Sequence, residues 1–425
     1  MEKRQIKNFD KLATTKNREA ALSIAEAGLY AINTINVVLN SVKLEDNVLY
    51  IQGEKFDLSK FKNIKVVGFG KSSCDAALAL EKILGDKIEE GVVIGLSKAS
   101  CKYVETFAGT HPRPSRVNLL AGKKIYETLY DSKQDELVIV LVSGGGSALL
   151  CSAEDECEQG VKLYDSFLHS GKTINEMNTV RKHLSTLKGG GLAKLAYPAT
   201  VVGLIFSDIP GDNYADVASG PTYKDMTTIE DAERIIRENN LGEFKLVETP
   251  KEDKYFEKVS NFVLVSNKTA VEAMAKKSTE LGYAARIAGT ELYDEAETAL
   301  QKVFSERGKH TAILGAGEPS IIVTGTGMGG RNTHLGLGAV RNKMIDETDV
   351  FVAFASDGLD NRNNSEAAGV IVDQSTILRA EELGLDAGLY YKNFDSCTFF
   401  EKTGDLIVTG PTGANVSDLF ILLTQ

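Results

Sequence analysis

Glycine-rich turns that close short apolar runs are the places in this sequence best suited to chemistry. Gly68-Phe69-Gly70-Lys71-Ser72-Ser73 ends one Val- and Ile-rich run, and Ser143-Gly144-Gly145-Gly146-Ser147 ends another. Gly327-Met328-Gly329-Gly330-Arg331-Asn332 follows a third. Glycine lets backbone N–H groups approach an anion, and a helix starting behind the turn adds its positive end. One such turn is weak evidence, since glycine also serves ordinary tight turns. Repeated between strand-like and helical patterns, the turns point to phosphate or carboxylate binding. Lys71 and Arg331 each stand at an expected helix start, where a cation opposes the helix dipole. An anionic ligand would relieve that conflict, and a solvated lysine after a turn is the plainer reading of Lys71.

Further candidates carry charge. Asn178, Arg181, Lys182 and Ser185 share one helical face and run into Lys188-Gly189-Gly190-Gly191. They could cradle phosphates or form a solvated face. Asp208 and Asp212, in Ser207-Asp208-Ile209-Pro210-Gly211-Asp212, could hold Mg²⁺ or act as a base toward a hydroxyl. The plainer reading is an Asx turn, which needs only one of them. Glu318 is expected before a strand. The turns around Asp357 and Asn415 could line the same cleft. Several mechanisms are disfavoured. The Walker glycine is replaced by Lys65, the dinucleotide fingerprint ends in Ser73, and the next strand ends in Ser97-Lys98 rather than a ribose-binding carboxylate. His111 lies in a rigid THPRP loop. His169, His183, His310 and His334 have no metal-ligand spacing, and no GxSxG elbow is present.

The elements that must position these residues follow from periodicity. Residues 17–42 read as one long amphipathic helix, and NVLYIQGEKFDL reads as a hairpin turning at Gly53. Apolar runs then alternate with helical patterns, which predicts mainly parallel sheets with helices on both faces. A polar stretch over 241–261 predicts a linker. It separates a domain of residues 1–245 from one of residues 260–425.

A chain of 425 residues, 43% hydrophobic and 25% charged, has ordinary globular composition. A net charge of −11 without a basic stripe argues against nucleic acid and anionic membranes as partners. Five cysteines without a CxxC pair argue against a disulfide framework. The N-terminal segment lacks the apolar core of a signal peptide, and no long apolar run suggests a membrane span. A cytoplasmic location is therefore expected.

Eight segments, in order, resemble the glycerate 2-kinases that carry a MOFRL domain: VVGFGKSS, HPRPS, LVSGGGSALL, NTVRKHLSTLKGG, SDIPGD with ASGPT, GEPSIIVTGTGMGGRN, ASDGLD and GDLIVTGPTGANVSDL. The resemblance implies an α/β protein with a large Rossmann-like parallel-sheet domain, a smaller MOFRL-type α/β domain and an interdomain cleft holding the active site. It implies ATP with Mg²⁺ and a small hydroxy acid, most simply D-glycerate converted to 2-phosphoglycerate. Lys71, Arg331 and Asp208 match the family's catalytic positions. Gly70, Ser72, Ser143, Gly144, Gly145, Gly146, Ser147, Asn178, Arg181, Lys188, Glu318, Asp357 and Asn415 are expected to bind substrate or nucleotide, and Asp208 with Asp212 to hold metal. The chain departs from the family pattern at Gly191, Ser356, Asn361, Ala414 and His334. A nicotinamide-dependent hydroxypyruvate or tartronate reductase, or a catalytically impaired homologue, is the alternative.

Overall fold

The structure, a computed structural model, describes residues 4–170, 174–209, 213–361 and 366–425. It has two compact units. One is Thr34–Leu264, and the other is Val265–Gln425 together with the chain up to Asn33.

In the first unit a six-stranded sheet has the order Glu105–Ala108, Ile88–Gly95, Asn63–Phe69, Glu136–Ser143, Thr200–Phe206, Val259–Val265. The pairings from Glu105–Ala108 through Thr200–Phe206 are all parallel. Every residue of Glu136–Ser143 is buried, as expected for a central strand covered on both faces. The chain lays down Asn63–Phe69 first, builds outward to one side, then returns and builds to the other. Strand order therefore reverses between Asn63–Phe69 and Glu136–Ser143, the switch point at which such sheets bind ligands. The expected hairpin is present as Val48–Ile51 and Glu54–Asp57, with Gln52 and Gly53 both at positive φ, as a two-residue hairpin turn needs.

The polar stretch 241–261 is not a linker. Leu241 joins a buried cluster with Leu163, Phe167, Val180 and Ile235, and Phe244 and Leu246 pack against it. Val247 N–H donates to His183 O at 2.7 Å. Val259–Val265 is the sixth strand. The stretch reads as polar because it lies in extended form along one surface, with no helical or strand period to reveal its buried side.

The second unit also has a six-stranded sheet, in the order Ala284–Leu292, Thr311–Gly317, Asp418–Thr424, Val350–Ala355, Ala367–Asp373, Leu406–Val408. Its first pairing is parallel and the other four are antiparallel. The expectation of mainly parallel sheets thus holds only for the first unit. Here the last long strand inserts between Thr311–Gly317 and Val350–Ala355 and runs against both. The SIIVTG segment is also not a strand. Thr311–Gly317 takes that role, Glu318 follows the strand rather than preceding it, and Ile322 and Val323 are 77% and 68% exposed.

Residues 17–42 form two helices, Lys16–Ile32 and Thr34–Ser41, with a break at Asn33. The break serves packing. Lys16–Ile32 lies against Asn267–Glu280, where a Cβ on Gly28 would come within 2.8 Å of Met274 Cγ, while Thr34–Ser41 lies against Ser73–Leu84. The N-terminal helix thus groups with residues after 265 rather than with a domain 1–245. Among the described residues no single helix is long and apolar enough to cross a membrane. One disulfide, Cys151–Cys157, is present against expectation, while Cys74, Cys101 and Cys397 are free. The chain turns back into the helix Glu154–Ser170 there, which brings the two Cα atoms to 5.5 Å.

Arg18 fixes the N-terminal helix in place. It is 1% exposed and donates to Asp405 Oδ1 at 2.7 Å and to Asp373 Oδ1 at 3.3 Å. Both aspartates belong to the far end of the sequence. Removing one partner of a buried ion cluster leaves uncompensated charge, so Arg18→Ala should cost about 3–5 kcal/mol. Urea unfolding measures this, and a loss below about 1 kcal/mol would show that the cluster does not anchor the helix.

Candidate active site

The first cluster lies at the switch point. Strands Asn63–Phe69 and Glu136–Ser143 run in parallel register with Phe69 beside Val142, so their terminal turns emerge side by side. Gly70 is at φ +128°, and a Cβ there would collide with Ser143, so no other residue fits. Ser143 Oγ accepts from Ser72 N–H at 3.1 Å and lies 3.1 Å from Ser73 Oγ. Lys71 N–H donates to Gly144 O at 2.9 Å. The two turns are therefore one hydrogen-bonded body.

Three side chains converge on it. The Asp208 carboxylate rests against Gly144, where any Cβ would strike it. A Cβ on Gly145 would lie 3.1 Å from His111 Cδ2 and 3.2 Å from Lys71 Cγ. Among the described residues no carboxylate pairs with the Lys71 ammonium. Behind the loop, Ser147 Oγ meets Ser219 Oγ at 2.8 Å, and Ser219 Oγ lies 3.5 Å from Asn178 Oδ1. Asn178 Oδ1 accepts from Arg181 Nη1 at 3.1 Å. Burial pulls the Arg181 guanidinium down to about 10. Ser147, Arg181 and the Cys151–Cys157 bridge share the wall of a small cavity of about 30 Å³.

The other cations expected near the turns are internally matched. Lys188 is 3% exposed and donates to Glu156 at 2.7 Å and to Leu150 O at 2.6 Å. Lys182 pairs with Asp216 and Asp225 at 2.9 and 3.4 Å. Their partners account for both. Asp212 lies outside the described residues.

The second cluster lies at one end of the second unit's sheet. Register places Gly317 and Ala355 beside Asp418, so Glu318, Ser356 and Asp418 gather at that end. Arg331 begins the helix Arg331–Arg341, and its Nη1 donates to Asp418 Oδ2 at 2.7 Å and lies 3.5 Å from Glu318 Oε2. The cation at a helix start is thus offset by the protein's own carboxylates. Asp360 caps the same helix from a distance, accepting from Asn332 N–H at 2.7 Å and Thr333 N–H at 2.9 Å. The glycines before Arg331 serve packing: a Cβ on Gly327, Gly329 or Gly330 would meet Asp395, Ser396 or Asp360 respectively. Asp357 Oδ1 accepts from Leu359 N–H at 3.0 Å, an Asx turn, and Asn415 Oδ1 accepts from Ser417 N–H at 3.5 Å.

This geometry has known relatives. Residues 20–252 match a domain-of-unknown-function model, DUF4147, and residues 311–418 match the MOFRL family. A glycerate 2-kinase from Pyrococcus horikoshii is 35% identical, with 96% of this chain and 97% of that protein covered. A crystal structure of glycerate kinase from Thermotoga maritima matches with a TM-score of 0.84 at 31% identity, over 96% of this chain and 99% of the other. A protein of Agrobacterium vitis that is 34% identical, over 84% of this chain and 86% of its own, carries the name hydroxypyruvate reductase. The chain belongs to the MOFRL-domain glycerate 2-kinase family.

Sequence reasoning about this family member missed three residues that its structure places centrally. His111 was set aside as part of a rigid loop, yet it faces Gly145. Asp418 and Asp360 lay in quoted motifs but had no visible partner. Each becomes legible only once sheet register joins distant segments.

Asp418 carries a consequence for pH. Burial pushes its carboxyl up to about 7, against the pull of Arg331. An acid whose folded pKa is raised is more protonated folded than unfolded. Its favourable contribution is complete below about pH 4 and is lost as pH rises through about 7. Relative to Asp418→Asn, the parent protein should therefore lose unfolding free energy across that range. A difference that stays flat from acid to neutral pH would mean Asp418 titrates as an ordinary surface carboxyl.

Proposed function

We propose that this protein is a glycerate 2-kinase, moving the γ-phosphoryl group of ATP onto the 2-hydroxyl of D-glycerate in the cytoplasm. The observation that carries the reading is the convergence of Lys71, His111 and Asp208 on Gly144 and Gly145 at the switch point. Relatives named glycerate 2-kinase along nearly the whole chain support it.

Phosphoryl transfer asks for positioning and charge neutralisation more than covalent chemistry. Gly145, at φ +76°, leaves room for an anionic group beside Lys71. Lys71 meets the transferring phosphoryl oxygens or the substrate carboxylate. Asp208 orients the acceptor hydroxyl and takes its proton. Mg²⁺ commonly takes one or two carboxylates and fills its shell with phosphate and water. Asp208 supplies one, and Asp212 is the second candidate. When bound, the ion would neutralise charge on the phosphates.

Purified protein with Mg²⁺ and ATP should release ADP when given D-glycerate and should not oxidise NADH or NADPH with hydroxypyruvate. Cofactor oxidation without ADP release would reverse the assignment. Lys71→Ala and Arg331→Ala should each lower turnover by about 10²-fold or more, as expected for lost transition-state charge stabilisation. Lys71 is a loop residue whose ammonium meets no carboxylate among the described residues, so its variant should fold normally. Near-normal turnover in both would remove them from the active site.

A further inference from the structure

Beside the helix Arg331–Arg341 lies a cavity of about 580 Å³ that the site described above does not use. Its wall includes Ile321, Ile322, Thr324, His334, Tyr391 and Phe394. His334 is 3% exposed, and its ring stacks on Tyr391 at 4.0 Å and on Phe394 at 4.3 Å. Two rings that close, and not themselves in contact, must cover opposite faces of the imidazole. Only its polar edge is left. Among the described residues neither ring nitrogen has a hydrogen-bond partner, and Nδ1 is fully buried without one. A buried polar edge left unmatched is costly, and native structures seldom leave one so.

A second observation faces the same space. The extended segment Ile321–Gly325 makes no hydrogen bond through its backbone N–H groups among the described residues. Ile322 and Val323 hold their apolar side chains in solvent, at 77% and 68% exposed. An extended segment with unpaired backbone groups and an apolar side chain at the cavity suits a flat heteroaromatic ligand. The N–H and C=O groups read its polar rim, and the Ile322 side chain, which lines the cavity, covers its face.

We infer that this cavity takes the purine base of the nucleotide, held between the His334 edge and the open backbone of Ile321–Gly325. The inference rests on the kinase reading for the identity of its ligand. Position supports it. Arg331 lies three residues before His334, so the two are neighbours on the helix surface. A base in the cavity would direct its phosphates toward the helix start, where Arg331 stands. Burial holds the His334 imidazole down to about 4, so at neutral pH it is uncharged, and Nε2, the nitrogen not fully enclosed, is left to make one hydrogen bond to a purine edge.

The test uses the full chain and two probes, adenosine and inorganic tripolyphosphate. Hydrogen exchange read by mass spectrometry should show adenosine slowing the amides of Ile321–Gly325, with tripolyphosphate leaving them unchanged. His334→Phe keeps the stack and removes the polar edge. Ile322→Glu changes an exposed residue that no fold contact needs. Each should weaken ATP binding about tenfold by calorimetry, without changing the affinity for tripolyphosphate. If adenosine protects a different segment, or neither variant changes ATP affinity, the site is elsewhere, and a parent enzyme still making ADP keeps the kinase reading intact. If adenosine protects this segment but no hydroxy acid yields ADP, the kinase reading fails and the base site stands.

Discussion

The approach of Gly70 to Ser143 is the constraint on which the first unit's chemistry depends. Parallel register sets it, since Phe69 lies beside Val142 and the next residues of both strands must pass at backbone contact. A side chain on Gly70 would force the strands apart or slip their register. Slipping by one residue would turn every buried side chain of Glu136–Ser143 to the opposite face. The Ser143 hydroxyl then joins the turns by accepting from Ser72 N–H. That leaves Gly144 as the surface on which Asp208 rests, and Gly145 as the surface shared by Lys71 and His111. Each glycine has a specific neighbour to make room for, which a turn alone would not require.

The second unit solves a different problem. Its sheet end gathers Glu318, Asp360 and Asp418 near one arginine, so burial works against the carboxylates. Asp360 answers by accepting backbone N–H groups at a helix start, where a negative charge also suits the helix dipole. Asp418 has Arg331 and Asn332 as partners, yet burial still dominates its titration. Arg331 is thus held before any ligand arrives. That fixes its orientation through Asp418 and Glu318.

How much was legible in the sequence depended on whether the signal was local. The parallel sheet of the first unit was legible because buried strands write continuous apolar runs, and two of them, Asn63–Phe69 and Glu136–Ser143, run into a glycine with a steric reason. The hairpin at Gly53 was legible from its turn chemistry. Long-range decisions were not. Nothing in DLFILLTQ indicates that it inserts between two earlier strands and makes the second sheet mostly antiparallel. SIIVTG has strand composition but no neighbour to pair with, so propensity misled. The break at Asn33 lies inside an unbroken helical pattern, because both halves are apolar toward different surroundings. Asp418 and Asp360 were readable as motif letters but not as partners of Arg331 and Asn332. Cys151 and Cys157 gave no framework pattern, because a single short bridge has none.

Charge matching separates the cations that build the fold from those available for chemistry. Lys182, Lys188 and Arg18 are buried, and each meets carboxylates at hydrogen-bond or ion-pair distance. A buried cation has to be so matched, because desolvation would otherwise exceed what packing returns. Lys188 shows the force of the argument. It lies in a glycine-rich motif of the kind that binds phosphate, yet Glu156 and Leu150 already occupy its donors. Lys71 lies in a motif of the same kind and has backbone fixed to Gly144, but no carboxylate meets its ammonium among the described residues. Among the described residues the fold thus neutralises the glycine-turn lysine Lys188 internally and leaves the Lys71 ammonium without a carboxylate, beside the left-handed Gly145.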